Sequence, residues 1–146
     1  MTVATDCVFC RLVRREEEVT VVYEDERTIV FLDIQPVVRG HLLVVPLAHA
    51  AFLAELDPED GAAVFRAGQR AAAALRASGL PCEGVNLFLA DGEAAGQDVF
   101  HTHLHVIPRH AGDGFGLRLP PDYSIRPRAE LEEAGDAVRR AWPATT

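Results

Sequence analysis

The first third of the chain alternates apolar and polar residues with the period of a β-strand. Apolar and β-branched residues fill segments 19–23 and 28–33, on either side of the polar turn "EDER", and this arrangement predicts a β-hairpin. Alternation along the second segment places Ile29, Phe31 and Asp33 on one face of its strand. A third strand is predicted over residues 41–46, where a proline ends the hydrogen-bonded ladder.

The pattern changes to a helical period in the middle of the chain. Asp57 can cap a helix that begins at Pro58, and apolar residues then recur at helical spacing until Pro81 interrupts them. A fourth strand near residues 85–89 and a second helix over residues 129–142 follow. Strands clustered around one long helix predict an α+β fold with an antiparallel sheet, rather than a parallel sheet built from βαβ units.

Three histidines stand at alternate positions in the segment "HTHLHVIPRH": His101, His103 and His105. On a β-strand their side chains share one face, and we expect them to be displayed there while the residues between them pack on the core. Imidazoles this close would repel one another if all were protonated, so at least some are expected to be neutral. A neutral imidazole can serve as a nucleophile, a general base or a metal ligand.

Length and charge narrow the class of protein. With 146 residues and 49% hydrophobic content, the chain is predicted to form one domain with its own core. The 22 acidic and 14 basic residues give a formal charge of −8, which argues against a nucleic acid polymer as the main partner. A small phosphorylated ligand remains open, because one local site can be positive on an acidic protein.

The chain carries no sign of a membrane or secretory destination. It does not open with a basic start and an apolar run, and no segment approaches the roughly 20 apolar residues that span a bilayer. We therefore predict a cytoplasmic protein without a membrane partner. In that reducing compartment Cys7 and Cys10 are expected to be thiols, and their Cys-x-x-Cys spacing indicates a metal or redox pair before a disulfide.

Several motifs together resemble a known family. With "CVFC", "FLDIQP", "GHLLVVPLAH" and "AAGQDVFH", the histidine segment resembles the histidine triad (HIT) superfamily of nucleotide-binding hydrolases and transferases, most closely its bacterial branch with an N-terminal zinc pair. The likeness runs from Cys7 to Arg109 within a single domain of residues 1–146, whose residues 110–146 form a C-terminal extension. The resemblance implies an antiparallel sheet with helices, a homodimer, and a purine nucleotide held across the sheet.

The resemblance also implies catalytic roles. His103 would attack the α-phosphorus as the nucleophile, and His105 would contact the phosphate or help the leaving group. His41 would complete the cluster, and Gln97 would reach the phosphate or leaving-group side. The chemistry of imidazole agrees with this, since a neutral imidazole attacks an activated phosphate readily and splits one difficult displacement into two easier ones.

Nucleotide contacts are implied for the second strand and the loop before the histidines. Asp33 would accept hydrogen bonds from the ribose hydroxyls, Phe31 and Ile34 would line the base pocket, and Asp98 would lie near the phosphate with Gln97. An apolar ring and an acceptor on one strand face suit a nucleoside. The alternative leaves Phe31 in the core and Asp33 in the turn that follows.

A zinc ion is the cofactor that the resemblance implies. The bacterial branch binds zinc at the positions of Cys7, Cys10, His49 and His101, one ion per chain. Two thiolates and two imidazoles form the usual closed tetrahedral set of a structural site. Such an ion would tie the N-terminal arm to the histidine segment and orient His103 indirectly. Free thiols are the alternative.

Two positions depart from the family pattern. Ala90 stands where relatives usually have asparagine, and Asp98 stands where they have serine or threonine. Alanine cannot donate a hydrogen bond, and an ionised carboxylate repels a phosphate unless it is protonated or turned away. Asp98 would alternatively pair with a protonated histidine or bind an amine leaving group.

Three functions follow from these residues. The leading hypothesis is an enzyme that cleaves a nucleoside phosphoramidate, acyl-nucleotide or dinucleoside polyphosphate through a covalent intermediate on His103. The alternative is a nucleotide-binding or sensor protein of the same fold with little turnover. A third hypothesis has the histidine row itself hold a catalytic metal ion.

Overall fold

The structure, a computed structural model, describes residues 6–145. Its regular elements are five strands, three α-helices and two short 3-10 helices, Leu53–Glu55 and Glu93–Ala95. The strands and α-helices carry the labels below. In chain order they are α1 (Val8–Val13), β1 (Val21–Glu24), β2 (Thr28–Leu32), β3 (Leu42–Pro46), α2 (Pro58–Ala77), β4 (Gly84–Phe88), β5 (Leu104–Arg109) and α3 (Arg128–Ala141).

All five strands join one antiparallel sheet in the order β1-β2-β3-β5-β4. The predicted α+β class with an antiparallel sheet is therefore confirmed. The hairpin over β1 and β2 turns at Asp25, whose carboxylate accepts hydrogen bonds from the backbone N–H groups of Arg27 (2.9 Å) and Thr28 (2.8 Å). This local staple explains why the polar segment "EDER" makes a turn.

The long helix α2 covers one face of the sheet. Asp57 caps it by accepting a hydrogen bond from the Glu59 N–H (2.8 Å), as its position in the sequence predicts. Gly68 lets the helix approach the sheet closely, because a Cβ at this position would lie 2.7 Å from a methyl carbon of Leu104. The buried helix residues and strand residues such as Val44 and Val106 form the larger hydrophobic core.

The opposite face of the sheet carries the second core and the histidines. Here the short helix α1, which the sequence pattern did not predict, packs Phe9 against Ile29, Phe31 and other residues of β2 and β3. Directly opposed residues of neighbouring strands project from the same face. The register pairs Phe31 with Leu43 and Leu43 with His105, so these three residues form a line across β2, β3 and β5.

The histidine segment differs from the strand that its alternation predicts. Strand β5 begins only at Leu104, so His101 and His103 precede it and His105 alone lies in the sheet. Thr102, Leu104 and Val106 are buried, as the alternation predicts. The expectation of displayed histidines is wrong for two of the three, since His101 is 0% exposed and His103 is 3% exposed.

The chain divides into two compact units between Phe115 and Gly116. The second unit contains α3, which confirms the helix predicted over residues 129–142, and none of the residues of α3 is buried. A single domain over the whole chain stays a prediction. Across residues 6–145 no helix has both the length and the apolar character needed to cross a bilayer.

Candidate active site and metal centre

Three imidazoles meet on the sheet face that carries α1. His41 follows the turn at Gly40, where a φ of 95° favours glycine, and directly precedes β3. The ring centroids of His103 and His105 lie 4.9 Å apart, and those of His41 and His105 lie 5.0 Å apart. His41, His103 and His105 are called the histidine cluster below.

Backbone hydrogen bonds determine which nitrogen of His103 carries its proton. The Nδ1 atom lies 2.8 Å from the carbonyl oxygen of His101. A carbonyl oxygen only accepts hydrogen bonds, so Nδ1 carries the hydrogen and Nε2 keeps its lone pair. His103 thereby has the tautomer that a nucleophile or a base needs.

The other two imidazoles form a hydrogen-bonded chain. The Val37 N–H donates to Nδ1 of His41 (3.2 Å), so the hydrogen of His41 resides on Nε2. That Nε2–H donates to Nδ1 of His105 (2.8 Å), which leaves an N–H at Nε2 of His105. His105 is therefore arranged as a hydrogen-bond donor and His103 as an acceptor.

Burial keeps this pair of imidazoles neutral. Burial lowers the pKa of His105 to about 4, and the neighbouring imidazoles act in the same direction. Burial also lowers the pKa of His41, although the carboxylate of Asp33 opposes the shift. Both rings thus stay uncharged at neutral pH, as the crowding of the histidines predicts.

A cavity of about 960 Å³ opens beside the cluster. Phe31, Asp33 and Ile34 line one part of its wall, and His103 and His105 line another. Phe31 is 2% exposed and packs in the core, so it fulfils both the core role and a lining role. Ile34 is 98% exposed, which leaves its side chain free to contact a ligand.

Asp33 combines the two roles that its place in the sequence suggests, a residue of the turn after β2 and an acceptor in the cavity wall. One carboxylate oxygen accepts a hydrogen bond from the Gln35 N–H (2.8 Å), which anchors the turn after β2. The other oxygen lies 3.7 Å from Nδ1 of His41, and the residue lines the cavity. A carboxylate held in this way keeps acceptor capacity for a ligand.

The loop before the histidines is held by Gln97. Its side-chain oxygen accepts from the Gly92 N–H (2.7 Å), and its amide nitrogen donates to the carbonyls of Ala51 (2.7 Å) and Val99 (3.1 Å). The side chain is buried at 4% exposure. Gln97 therefore organises the loop and presents no free amide to the cavity, in contrast to the direct phosphate contact that the resemblance implies.

Asp98 extends from the same loop into the cavity wall. One of its carboxylate oxygens lies 4.0 Å from Nε2 of His103, and its side chain is 83% exposed. The same oxygen accepts a hydrogen bond from the Val99 N–H (2.9 Å). Ala90 is buried at 5% exposure and supplies no polar group to the site.

Cys7, Cys10, His49 and His101 converge next to the histidine cluster and are called the metal group below. One ligand atom from each residue lies within 4.8 Å of those of the others. The two S–N distances from Cys10 are 3.4 and 3.6 Å, the one from Cys7 to His101 is 3.5 Å, and the two imidazole Nδ1 atoms are 3.2 Å apart. A tetrahedral zinc site has S–N edges of about 3.6 Å and N–N edges of about 3.3 Å, given its usual bond lengths.

The protonation of the metal group also suits a cation. His101 donates its Nε2–H to the carbonyl of Pro46 (2.8 Å), so its Nδ1 lone pair faces the two cysteines. Without a cation, burial and the neighbouring Cys7 raise the pKa of the Cys10 thiol to about 11. A divalent cation would reverse this shift, because it stabilises thiolates directly.

A second set of possible metal ligands exists within the histidine cluster. Asp33, His41 and His105 each offer one ligand atom within 4.8 Å of the others. However, the facing nitrogens of His41 and His105 are only 2.8 Å apart, which is shorter than the roughly 3.3 Å between two nitrogens on one tetrahedral zinc ion. This geometry favours the hydrogen-bonded chain over the hypothesis of a catalytic metal held by the histidines.

Sequence reasoning missed two residues that position the cluster. Phe9 lies between the two cysteines in the chain, and its ring contacts the imidazole of His103 edge-on, with 5.0 Å between the ring centroids. Thr102 donates from both its N–H (2.7 Å) and its hydroxyl (2.9 Å) to the carbonyl of Ala50. The apolar spacing of "VFCRLV" was a signal for α1, whereas nothing in the sequence indicated the partner of Thr102.

The HIT domain family profile matches residues 14–112. The chain belongs to the HIT family. This confirms the resemblance of the histidine segment to a family whose members include an adenylylsulfatase and a histidine triad nucleotide-binding protein.

Two curated relatives extend the comparison. The protein named Protein hit from Bacillus subtilis is 42% identical over 117 residues, which are 80% of this chain and 80% of that protein. The protein named Adenylylsulfatase HINT3 from Arabidopsis thaliana is 38% identical over 113 residues, which are 77% of this chain and 56% of that protein.

Solved structures of HIT proteins share the fold. A HIT family protein from Bacillus subtilis superposes with a TM-score of 0.87 at 33% identity, over 96% of this chain and 99% of that chain. A zinc-bound histidine triad family protein from Mycobacterium smegmatis superposes with a TM-score of 0.74 at 43% identity, over 93% of this chain and 92% of that chain. The zinc belongs to the mycobacterial protein.

Proposed function

We propose that the protein hydrolyses nucleotide conjugates at the α-phosphate through a covalent nucleotidyl intermediate on His103. The candidate substrates are nucleoside phosphoramidates, acyl-nucleotides and dinucleoside polyphosphates. One observation carries the proposal. The hydrogen bond from Nδ1 of His103 to the His101 carbonyl leaves the Nε2 lone pair free, on a residue that lines the cavity.

The cavity wall supports a purine nucleotide as ligand. Phe31 and Ile34 offer apolar contact to the base, and Asp33 offers a carboxylate acceptor to the ribose hydroxyls. The line from Phe31 through Leu43 to His105 spans three strands, about 10 Å at the usual strand spacing. That span matches the separation of a base from its 5′-phosphate.

The reaction proceeds in two displacements at phosphorus. In the first, the Nε2 lone pair of His103 forms a bond to phosphorus while the bond to the leaving group breaks, and its electron pair leaves with that group. In the second, water forms a bond to phosphorus and the bond to Nε2 breaks, which restores the lone pair. One water is consumed, since its oxygen stays on the nucleotide and one proton goes to the leaving group.

His41 and His105 stabilise the charge that develops during these steps. The Nε2–H of His105 donates to a phosphate oxygen or to the leaving group, and His41 keeps His105 in the tautomer that can donate. Gln97 acts on the phosphate side through the loop that it anchors. Asp98 lies 4.0 Å from Nε2 of the nucleophile, on the phosphate side of the proposed substrate.

Zinc is the cofactor that the metal group fits. Cys7, Cys10, His49 and His101 would hold one ion in a closed tetrahedral site with a structural role. The carbonyl of His101 accepts a hydrogen bond from Nδ1–H of His103, so an ion that fixes His101 also stabilises the orientation of the nucleophile.

A homodimer is the assembly that the sheet edge supports. Strand β4 is an outer strand of the sheet, and the side chains of Leu87 and Phe88 on it are 37% and 45% exposed. Phe65 on α2 is 56% exposed. Pairing of β4 with β4 of a second copy would satisfy the edge and bury apolar surface. A monomeric mass in sedimentation equilibrium would contradict the dimer.

The experiment that tests the function measures nucleotide release from adenosine and guanosine phosphoramidates and dinucleoside polyphosphates. We expect turnover by the wild type, a nucleotidyl mass adduct on acid-quenched protein, and loss of both in His103→Ala. His110→Ala is the matched control, because His110 lies outside the cluster and its imidazole donates to the Ala111 carbonyl.

Two outcomes would overturn the proposal. Equal turnover by His103→Ala and wild type would show that His103 is not the nucleophile. Binding of AMP by folded wild type without turnover of any substrate would favour the sensor function, which the lack of a donor at Ala90 makes the second candidate.

A further inference from the structure

The wall of the cavity carries an excess of negative charge. Among the described residues that line it, one is a cation and four are acids: Arg11, Glu17, Glu18, Asp33 and Asp98. The two histidines on this wall, His103 and His105, are not a substitute for cations, because His105 is neutral and His103 needs a free lone pair to react. A strongly anionic ligand therefore meets little compensating charge here.

The cation among the described residues of the wall already has partners. Arg11 forms an ion pair with Glu17 (3.3 Å) and donates to the carbonyl of Asp6 (3.1 Å). Its charge is thus balanced at the end of the cavity formed by α1 and the segment after it. Asp33, by contrast, has one oxygen engaged by the Gln35 N–H and faces the ribose in the proposed complex.

Asp98 is the acid closest to the reacting atoms. Its oxygen lies 4.0 Å from Nε2 of His103, the atom to which phosphorus bonds in the proposed reaction. The hydrogen bond from the Val99 N–H holds this carboxylate in place, while the side chain remains 83% exposed. In an in-line displacement the leaving atom stands about 4 Å from Nε2 on the far side of phosphorus, so it departs within about 8 Å of this carboxylate.

We infer that Asp98 selects substrates by the charge of the leaving group. It favours nucleoside phosphoramidates whose leaving amine carries an additional positive charge, and it disfavours leaving groups that carry a negative charge. This inference rests on the proposed hydrolase function and deepens it. Neither the Asp98 carboxylate nor the additional charge on the leaving amine takes part in the bond changes at phosphorus, so the effect is electrostatic.

The expected size of the effect follows from Coulomb's law. A unit charge about 6 Å from the Asp98 carboxylate changes the free energy of the transition state enough to alter the rate roughly threefold, even at the dielectric constant of water. The change is favourable for a cation and unfavourable for an anion. The preference for cation over anion that Asp98 contributes is therefore about tenfold at low ionic strength.

The experiment uses three adenosine 5′-phosphoramidates with the same P–N bond, and the guanosine series in parallel. Their leaving amines are 2-aminoethylamine, propylamine and β-alanine, so that the remote group is cationic, neutral or anionic. The measured quantity is kcat/KM for each substrate with wild type, Asp98→Asn and Asp98→Ser. Comparison of one substrate between variants cancels its intrinsic reactivity.

Asp98→Asn is the matched change, because asparagine keeps an oxygen that can accept from the Val99 N–H. Glu26→Gln is the control for net charge, since Glu26 lines a separate cavity with residues of α2. We expect Asp98→Asn to lower the ratio of cationic to anionic substrate about tenfold and Glu26→Gln to leave it unchanged. The wild-type ratio should also fall as salt rises from 0.01 to 1 M, because the Debye length shortens from roughly 30 to 3 Å.

The possible results separate the inference from the function on which it rests. Turnover with the same charge ratio in wild type and both Asp98 variants would overturn the role of Asp98 and leave the hydrolase intact. A ratio that changes equally in Glu26→Gln would assign the effect to net charge and would also overturn it. No turnover of any substrate by wild type would overturn the proposed function itself, and the inference with it.

Discussion

Replacement of Phe9 by alanine tests whether α1 holds the active site together. Phe9 is 6% exposed, and its ring contacts both Phe31 (5.6 Å between centroids) and His103 (5.0 Å). It also joins the second hydrophobic core with Leu43 and other residues of β3. The substitution therefore removes apolar contacts and opens a void directly beside the proposed nucleophile.

The magnitude follows from this burial. A buried phenylalanine that is truncated to alanine costs about 3–5 kcal/mol of unfolding free energy, from lost transfer energy and from the cavity. For a chain of 146 residues this corresponds to a fall in Tm of roughly 10–15 °C. Phe9→Leu is the matched control, because it keeps most of the apolar volume and should cost less than about 1.5 kcal/mol.

The assay is unfolding by urea and by heat at a fixed zinc concentration, combined with kcat and KM for a turned-over substrate. We expect the order of stability to be wild type, Phe9→Leu, Phe9→Ala, with a lower kcat in Phe9→Ala because His103 loses its packing partner. A loss below about 1 kcal/mol in Phe9→Ala would refute the packing of α1 on the sheet. An equal loss in both variants would show that volume is not the cause.

Two further predictions concern protons and zinc. Burial lowers the pKa of His105 from its ordinary value of 6.5 to about 4 in the folded protein. As the pH falls, the unfolded chain therefore binds a proton before the folded chain does. The stability that comes from the neutral His105 is complete above pH 6.5 and is lost as the pH falls towards 4. We expect Tm to fall from pH 7 to pH 5 more steeply in wild type than in His105→Asn, and parallel curves would contradict the burial argument. Cys10→Ser should lower bound zinc well below one ion per chain and reduce Tm by about 10 °C relative to the zinc-loaded protein. Cys82→Ser should retain the metal, because Cys82 lies outside the metal group and its thiol donates to the Gly84 carbonyl. Full zinc content in Cys10→Ser, measured by plasma mass spectrometry, would argue against the metal group.

Elements with strong local signals were predicted correctly. Helix α2 has its cap at Asp57, proline at its first position and an apolar stripe, and the structure shows it from Pro58 to Ala77. The alternation along β2 correctly placed Ile29 and Phe31 on one face and Val30 on the other. The first two pack in the second core and Val30 packs in the larger core. In both cases the interactions that define the element lie within a few residues of one another, so the sequence contains them directly.

Elements that depend on distant partners were predicted incompletely. Helix α1 has six residues and no side-chain cap, so its stability comes from packing Phe9 on the sheet rather than from propensity. The burial of His101 and His103 has the same origin, since Phe9 contacts both rings. The amide of Gln97 likewise meets Ala51, which lies 46 positions away in the chain.

The sequence by itself determined the chemistry that the protein contains: the histidine triad, the Cys-x-x-Cys pair, an acceptor and an apolar ring on one face of β2, and the family that these residues identify. Only the tertiary structure decided how that chemistry is arranged. The carbonyls of His101 and Pro46 set the imidazole tautomers, and Cys7 meets a histidine 94 positions away. Asp98 is likewise brought to 4.0 Å from the nucleophile by the loop that Gln97 anchors. The physical reason is that residue types and spacing encode local periodicity, whereas tautomer, burial and charge environment depend on groups that the folded sheet brings together.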